Sequence, residues 1–436
     1  MARFQKLLFA VTVLCLCATS RLHAQATLLL EEPYSYDGAF AGTGHSAVYL
    51  SRVCAESPLK LRRCEPGEWG VVLSRYHNIA GYDWVAIRLI PYLYAVDKPE
   101  SIPLFAEPKL VSFLREKYLT NIRENLPDGR GEAKDASWYE LAGSAYNRTI
   151  YGYKVETTPA QDDALIRKFN DDPNRESYNL IKRNCADFVK DVINFYYPKS
   201  THRSVINDLG VTTPRQVAKT LVKYGKRHDN AQLSAFIIPQ VPGMKRSRPI
   251  HGVTDSILLA KKYMAPLMFL HPVMAGSVGV AYWAGWRFHP AKDAMVFDPR
   301  RSLEAPLSAE ERRIYKSLLD DVKHTTAEEE AAANTLKWQK VRATAEPSLD
   351  ENGHPILRLK EADSTVELGL CRENLLRESP PQLVQELLIT RLEEELGAGA
   401  PRASQSDVEN DWKLLQKSFA MDTAPARSFS NAGFKH

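Results

Sequence analysis

The chain has 436 residues, 44% hydrophobic and 25% charged, with a formal net charge of +4. That is the composition of an ordinary globular protein, with material for two or three domains and ample core. A charge so near balance, with no basic stripe, argues against nucleic acid as a partner.

Residues 1–26 read as a secretory signal. Arg3 and Lys6 precede an apolar run over 7–17, and Ala24-Gln25-Ala26 offers a small-x-small cleavage site. The run is too short to span a bilayer comfortably. Neither Cys15 nor Cys17 follows a small residue, as a lipoprotein cysteine would. Cleavage removes Arg3, Lys6 and Arg21 but no acid, taking the net charge from +4 to +1.

In the mature chain, residues 27–30 predict a strand, 37–44 a small flexible loop and 45–50 a second strand. Residues 54–66 are polar and turn-rich. The stretches 69–76 and 84–90 are strand-like in β-branched content, with a tight polar turn over 77–83 between them. Leu110, Phe113, Leu114, Tyr118 and Ile122 predict a helix from about Pro108 to Asn125. Residues 141–155 read as mixed strand and loop. Thr158-Pro159 opens a helix running to Phe169, and Thr213-Pro214 opens another to about Tyr224. Residues 27–226 therefore read as one α+β domain.

Residues 227–255 carry scattered Pro, Arg and Lys and read as a linker. The segment 256–290 holds the longest apolar run of the mature chain, 263–288, interrupted by Pro266, His271 and Pro272. Its length allows a membrane span, and Pro272 equally allows a buried helical hairpin. Lys261, Lys262 and Arg287 flank it, so charge sets no orientation. Residues 291–436 form a charged, mostly helical C-terminal region: helical over 308–341, a small hairpin at 355–359 and 365–370, and an amphipathic stretch at 381–396. Roughly the last thirty residues read as loosely ordered.

Chemistry concentrates around residues 178–189, which include Arg183-Asn184-Cys185-Ala186-Asp187-Phe188-Val189. Asn184 is a natural N-cap, and Cys185 then opens a helix whose buried face is Phe188, Val189, Val192, Ile193 and Tyr196. Pro198 stops it. Unpaired N–H groups and the helix dipole favour an anion at that end, so the placement suits a thiolate nucleophile. A small buried Cys packing helix on sheet is the alternative.

Far upstream, Gly44-His45-Ser46-Ala47-Val48-Tyr49-Leu50 delivers an imidazole to the start of an apolar strand. His45 is thus the candidate base, or else a strand-capping histidine. An antiparallel pairing of 45–50 with 69–76 would bring the end of the second strand opposite His45. Ser74, Tyr76 and His77 become candidates to orient the ring, with Asp83 more distant. His77 is preferred, because an imidazole can accept or donate. Cys54 and Cys64 could close a disulfide, which leaves Cys185 without an obvious partner. Cys371 reads as an inert buried thiol, with a Cys185–Cys371 disulfide as the other pairing.

His45 on its strand, followed much later by Asn184-Cys185-Ala186-Asp187-Phe188 at a helix start, resembles the circularly permuted NlpC/P60 papain-like group. Lecithin retinol acyltransferase-like proteins and several bacterial envelope families belong to that group. The resemblance covers roughly residues 27–200 and implies a permuted papain-like core of antiparallel sheet and helices. It implies Cys185 as nucleophile and His45 as base, with His77 or Ser74 as third member. It further implies hydrolysis or acyl transfer at amide or ester bonds, with envelope peptides such as those of peptidoglycan, or lipid esters, as substrate. The long interval from His to Cys and the Cys54–Cys64 loop depart from the pattern, and residues 227–436 lie outside it.

No cofactor is expected: there is no His-x-x-x-His, no paired Cys-x-x-Cys and no phosphate-binding glycine loop. The competing reading is an envelope-associated structural or binding protein that keeps the scaffold without turnover.

Overall fold

The computed structural model describes residues 24–36, 39–40, 44–77, 79–126, 140–175, 177–204, 208, 210–249, 269–285, 288–300, 302–325, 328–361, 364–397 and 403–422. Most of the expected signal, the start of the apolar run with Lys261 and Lys262, Arg287 and residues 423–436 lie outside them.

In chain order the first strands are β1 (Ala24–Glu31), the small hairpin β2 (Ser35–Tyr36) and β3 (Ala39–Phe40), and β4 (His45–Leu50). Next come β5 (Val53–Ser57), β6 (Lys60–Arg63), β7 (Val71–Ser74), β8 (Val85–Arg88) and β9 (Ile150–Thr157). Then follow β10 (Ser234–Ile238), β11 (Met295–Asp298) and β12 (Ser302–Glu304). Eight of these form one sheet in the order β12-β11-β10-β9-β1-β4-β7-β8, antiparallel except between β10 and β11. The fold is α+β with a large mixed sheet.

β1 is central and fully covered. Leu28 and Leu30 pack into one apolar core and Leu29 into another. A strand buried on both faces need not alternate, which accounts for its unbroken Thr27-Leu28-Leu29-Leu30 run. Ala24 to Ala26, the expected cleavage segment, pair with Thr157 to Val155.

The N-terminal helices are α1 (Leu89–Tyr94), α2 (Pro108–Glu124), α3 (Ser144–Asn147), α4 (Pro159–Asp171), α5 (Cys185–Tyr196) and α6 (Pro214–Gly225). Thr158 and Gln161 form a capping box on α4, and Thr213 caps α6. The expected strand over 84–90 stops at Arg88, where α1 takes over and carries Pro91 in its first turn.

The segment 227–255 is not a bare linker. Its Ala235-Phe236-Ile237-Ile238 run extends the sheet as β10, and Gly152 opposite leaves room for the Phe236 ring. Within the apolar segment, α7 (Pro272–Gly285) is a helix starting at Pro272, and the part of the expected span or hairpin that precedes Phe269 lies outside the described residues. Its 14 residues reach about 21 Å, short of the roughly 30 Å core of a bilayer. No helix among the described residues is long and apolar enough to cross a membrane.

The C-terminal region comprises α8 (Ala309–Thr325), α9 (Glu328–Thr344), the sheet β13 (Glu346–Leu349), β14 (Pro355–Lys360) and β15 (Thr365–Gly369), then α10 (Leu375–Glu378), α11 (Pro381–Leu396) and α12 (Gln405–Asp422). The expectation of loose order near the terminus is corrected as far as Asp422, because α12 is tied into α11. Arg391 Nε donates to buried Asp411 at 2.6 Å and Arg391 Nη1 to the Leu104 carbonyl at 2.6 Å. Trp338, Leu357 and Leu387 share a core with Leu29 and Phe105, so this region packs on the sheet.

Cys54 and Cys64 form a disulfide across the β5–β6 hairpin, while Cys185 and Cys371 are free thiols. Closing so short a loop stabilises by about 3 kcal/mol. A Cys54→Ser/Cys64→Ser double variant is therefore expected to unfold at lower temperature than the native protein in a non-reducing calorimetric scan.

Candidate active site

The residues before Cys185 form a tight turn. Asn179 Oδ1 accepts the Ile181 and Lys182 N–H groups, each at 3.0 Å, and Asn179 bridges to Arg183. Asn184 then adopts an extended conformation and caps α5, its Oδ1 accepting the N–H of Ala186 at 2.9 Å and of Asp187 at 3.0 Å. Its side-chain amide donates to the Leu180 and Thr212 carbonyls, both at 2.9 Å. Asp187 returns the box to Asn184 N–H and holds the Thr212 hydroxyl at 2.6 Å. Phe188, Val189, Val192, Ile193 and Tyr196 are all buried. Because the cap takes the Ala186 and Asp187 N–H groups, the first-turn donor left for an oxyanion is that of Cys185 itself.

His45 opens β4 directly after Gly44. Gly44 has φ +76°, and a Cβ there would stand 2.2 Å from the Glu31 carbonyl oxygen, so only glycine fits this approach. His45 is buried, and the residue Cys185 beside it is half-buried. Each lies close enough for its charge to bear on the other. Burial opposes the charged imidazole, yet Cys185, Glu31 and Glu140 outweigh it and raise its affinity for a proton. Burial likewise opposes the thiolate, yet His45 and the Ser46 backbone N–H outweigh it and depress the Cys185 pKa. Thiolate and imidazolium support one another.

The ring's other contact is Ser74. His45 Nε2 and Ser74 Oγ are 2.6 Å apart, and Ser74 Oγ also lies 3.3 Å from the Ser46 carbonyl. The serine has a single proton. Donated to the Ser46 carbonyl, it leaves the oxygen to accept Nε2–H, and Nδ1 is the nitrogen left for the sulfur. Tyr76 stacks on the same ring, centroids 4.5 Å apart and planes 16° from parallel.

His77, the preferred third member, does not fill that place. It is exposed, with its ring 5.4 Å from that of Tyr178. Parity explains the correction. Val48 pairs with Leu73 and Tyr49 with Val72, so Ser74 and Tyr76 share the face of His45 and an odd-numbered neighbour does not. Asp83 is also elsewhere: its carboxylate takes Arg75 at 2.5 Å and Arg183 at 3.0 Å, tying down the turn before Cys185.

No protein-family model and no curated protein matches the chain. Among solved structures it is similar to a type VI secretion system effector, TseH, at 15% identity, covering 49% of this chain and 98% of that one with a TM-score of 0.24. So slight a likeness identifies neither an activity nor a substrate.

Cys371 is fully buried, and burial pushes its thiol well above the ordinary range, away from reactivity. Cys54, Cys64 and Glu68 come together at metal-like distances, but both sulfurs are spent in the disulfide. A cavity of about 160 Å³ beside the turn is lined by Arg75, Asp83, Trp84, Phe169, Arg183 and Phe188; Cys185 is not on its wall.

Proposed function

We propose that the chain is an exported cysteine hydrolase or acyltransferase on a permuted papain-like core, acting on amide or ester bonds of the cell envelope. One observation carries the reading: a half-buried cysteine at a capped helix start, its thiolate favoured by a buried imidazole that Ser74 holds at Nε2. The Cys185 thiolate attacks the carbonyl carbon, and the Cys185 N–H stabilises the oxyanion. The His45 imidazolium gives its Nδ1 proton to the departing amine or alcohol as that bond breaks, leaving a thioester. Neutral His45 then draws a proton from water, or from an acceptor nucleophile, which displaces the sulfur.

Envelope peptides such as those of peptidoglycan follow from the resemblance. Lipid esters are favoured by exposed apolar side chains: Leu180 is 70% and Ile181 58% exposed in the turn before the nucleophile. Phe269 at 90%, Val273 at 81% and Trp283 at 62% lie in and beside α7, which is apolar on every side. Such a surface suits contact with a bilayer.

The test is to incubate native protein and Cys185→Ala with peptidoglycan fragments and, separately, with phospholipid vesicles. New amino groups from the first or free fatty acid from the second, absent with Cys185→Ala, is the expected result. Native protein should also float with the vesicles. No turnover on either, together with an unreactive Cys185, leaves the non-catalytic envelope protein.

A further inference from the structure

Behind His45 lies a group of charges, buried except for half-buried Glu140, with no part in the acyl-transfer steps. Glu31, the last residue of β1, is the ladder partner of His45 and is fully buried. Arg148, 1% exposed, stands between two acids, with Nη1 3.4 Å from Glu31 and Nη2 3.5 Å from Glu140. Tyr92 donates to Glu31, and the Tyr34 hydroxyl donates to Glu140 at 2.8 Å. Tyr76, stacked on the imidazole, reaches the Glu140 carbonyl at 3.2 Å. Burial pushes the Tyr34 hydroxyl up to about 12 and those of Tyr76 and Tyr92 well above their usual range, so all three stay neutral donors. A second guanidinium, Arg115, is turned to the Ala142 and Gly143 carbonyls at 2.9 and 2.8 Å.

This grouping is a poor way to build stability. Buried charges are costly, and hydrophobic substitutes of similar volume often serve as well. Glu31 Oε2 and the Arg148 Nε and Nη1 atoms, all buried, make no hydrogen bond, although Nη1 faces Oε2 across their ion pair. Incomplete satisfaction at low dielectric marks a site kept for something other than packing. The groups facing His45 are the Cys185 sulfur from α5, Ser74 and Tyr76 from β7 and its end, Glu31 from β1, and Glu140 from the segment before α3. Apart from the sulfur, every charge among them is an acid, and Arg148 stands behind the two carboxylates.

We propose, resting on the thiol reading, that Glu31 and Glu140, braced by Arg148, are positioning residues that keep His45 charged and Cys185 as its thiolate. They touch neither substrate nor sulfur. Glu31 acts one strand across from the ring, and Glu140 acts alongside the Tyr76 clamp. Without the Glu31 charge, Arg148 would face the imidazolium with one counterion fewer, and the ion pair would yield to neutral thiol and imidazole.

The test is the pH profile of iodoacetamide labelling at Cys185 in native protein, Glu31→Gln and Glu140→Gln. Glu31→Gln should label about tenfold more slowly at pH 6, as a one-unit shift requires, and converge on the native rate at alkaline pH. Glu140→Gln should move the same way by less. A role in packing alone would not shift the midpoint. Profiles that superimpose on a normally labelling native protein overturn this proposal and leave the thiol reading standing. Native protein unlabelled at pH 6 removes both. Should Glu31→Gln fail to fold, Glu140→Gln decides: an unshifted midpoint overturns the proposal.

Discussion

At pH 6, iodoacetamide labels Cys185 about tenfold or more faster than an ordinary thiol, and His45→Ala loses that advantage in a protein that still folds. An unperturbed thiol with a pKa of about 8.5 is roughly 0.3% ionised at pH 6. A thiolate held by His45 gains most of the remaining factor, and part is returned because a less basic sulfur is a weaker nucleophile. The profile has a sign that can be checked. The Cys185 pKa is depressed, so reactivity appears as pH rises through that lowered value. The His45 pKa is raised, so the imidazolium persists above the ordinary imidazole range. Turnover that needs both should therefore have a plateau, its acid limb set by the sulfur and its alkaline limb by the ring. Mass spectrometry of the labelled peptide reads the rate, and Cys371 in the same molecule is the internal control. Equal labelling of the two cysteines would sink the catalytic reading.

Ser74→Ala is expected to lower turnover by about tenfold to a hundredfold, whereas His77→Ala leaves it within about twofold. Removing the serine oxygen strands a buried ring N–H, a penalty of about 1–3 kcal/mol, and each 1.4 kcal/mol is a factor of ten. The loss should fall on kcat, because the ring is free to turn its Nδ1 from the sulfur while the substrate surface is unchanged. Ser74→Thr keeps the hydroxyl and should recover part of the rate. If His77→Ala proved the more damaging, the serine would be only a packing neighbour and the exposed histidine would have to reach the site during turnover.

Much of this architecture is legible in local chemistry. The helix of Cys185 follows from Asn184, the apolar spacing and Pro198, and α4 and α6 follow from their Thr-Pro openings. The antiparallel neighbour of His45 can be anticipated, but its register cannot. A shift of one residue decides whether Ser74 or His77 faces the ring, and no turn between the strands fixes that count. Glu31 escapes a local reading because its meaning is nonlocal. The available signal is an acid following three leucines at the end of a strand, which must be either a solvent-facing end or a buried charge with partners. Here Arg148 supplies the partner from beyond more than a hundred intervening residues. β10 is equally hard to see, because five residues amid Pro, Arg and Lys carry too little pattern to outweigh their surroundings.

The path of the sheet has a practical consequence. A gene truncated near residue 226, the end of the expected α+β domain, would encode β1, β4, β7, β8 and β9 but omit β10, which pairs with the other edge of β9. The outer edge of β9 would then present unpaired backbone to any other extended chain, an invitation to polymerise. Leu29 and Phe105 would at the same time lose the blanket of Trp338, Leu357 and Leu387. The second half covers an edge and a core face that the first half alone would leave bare, and the two are best produced together.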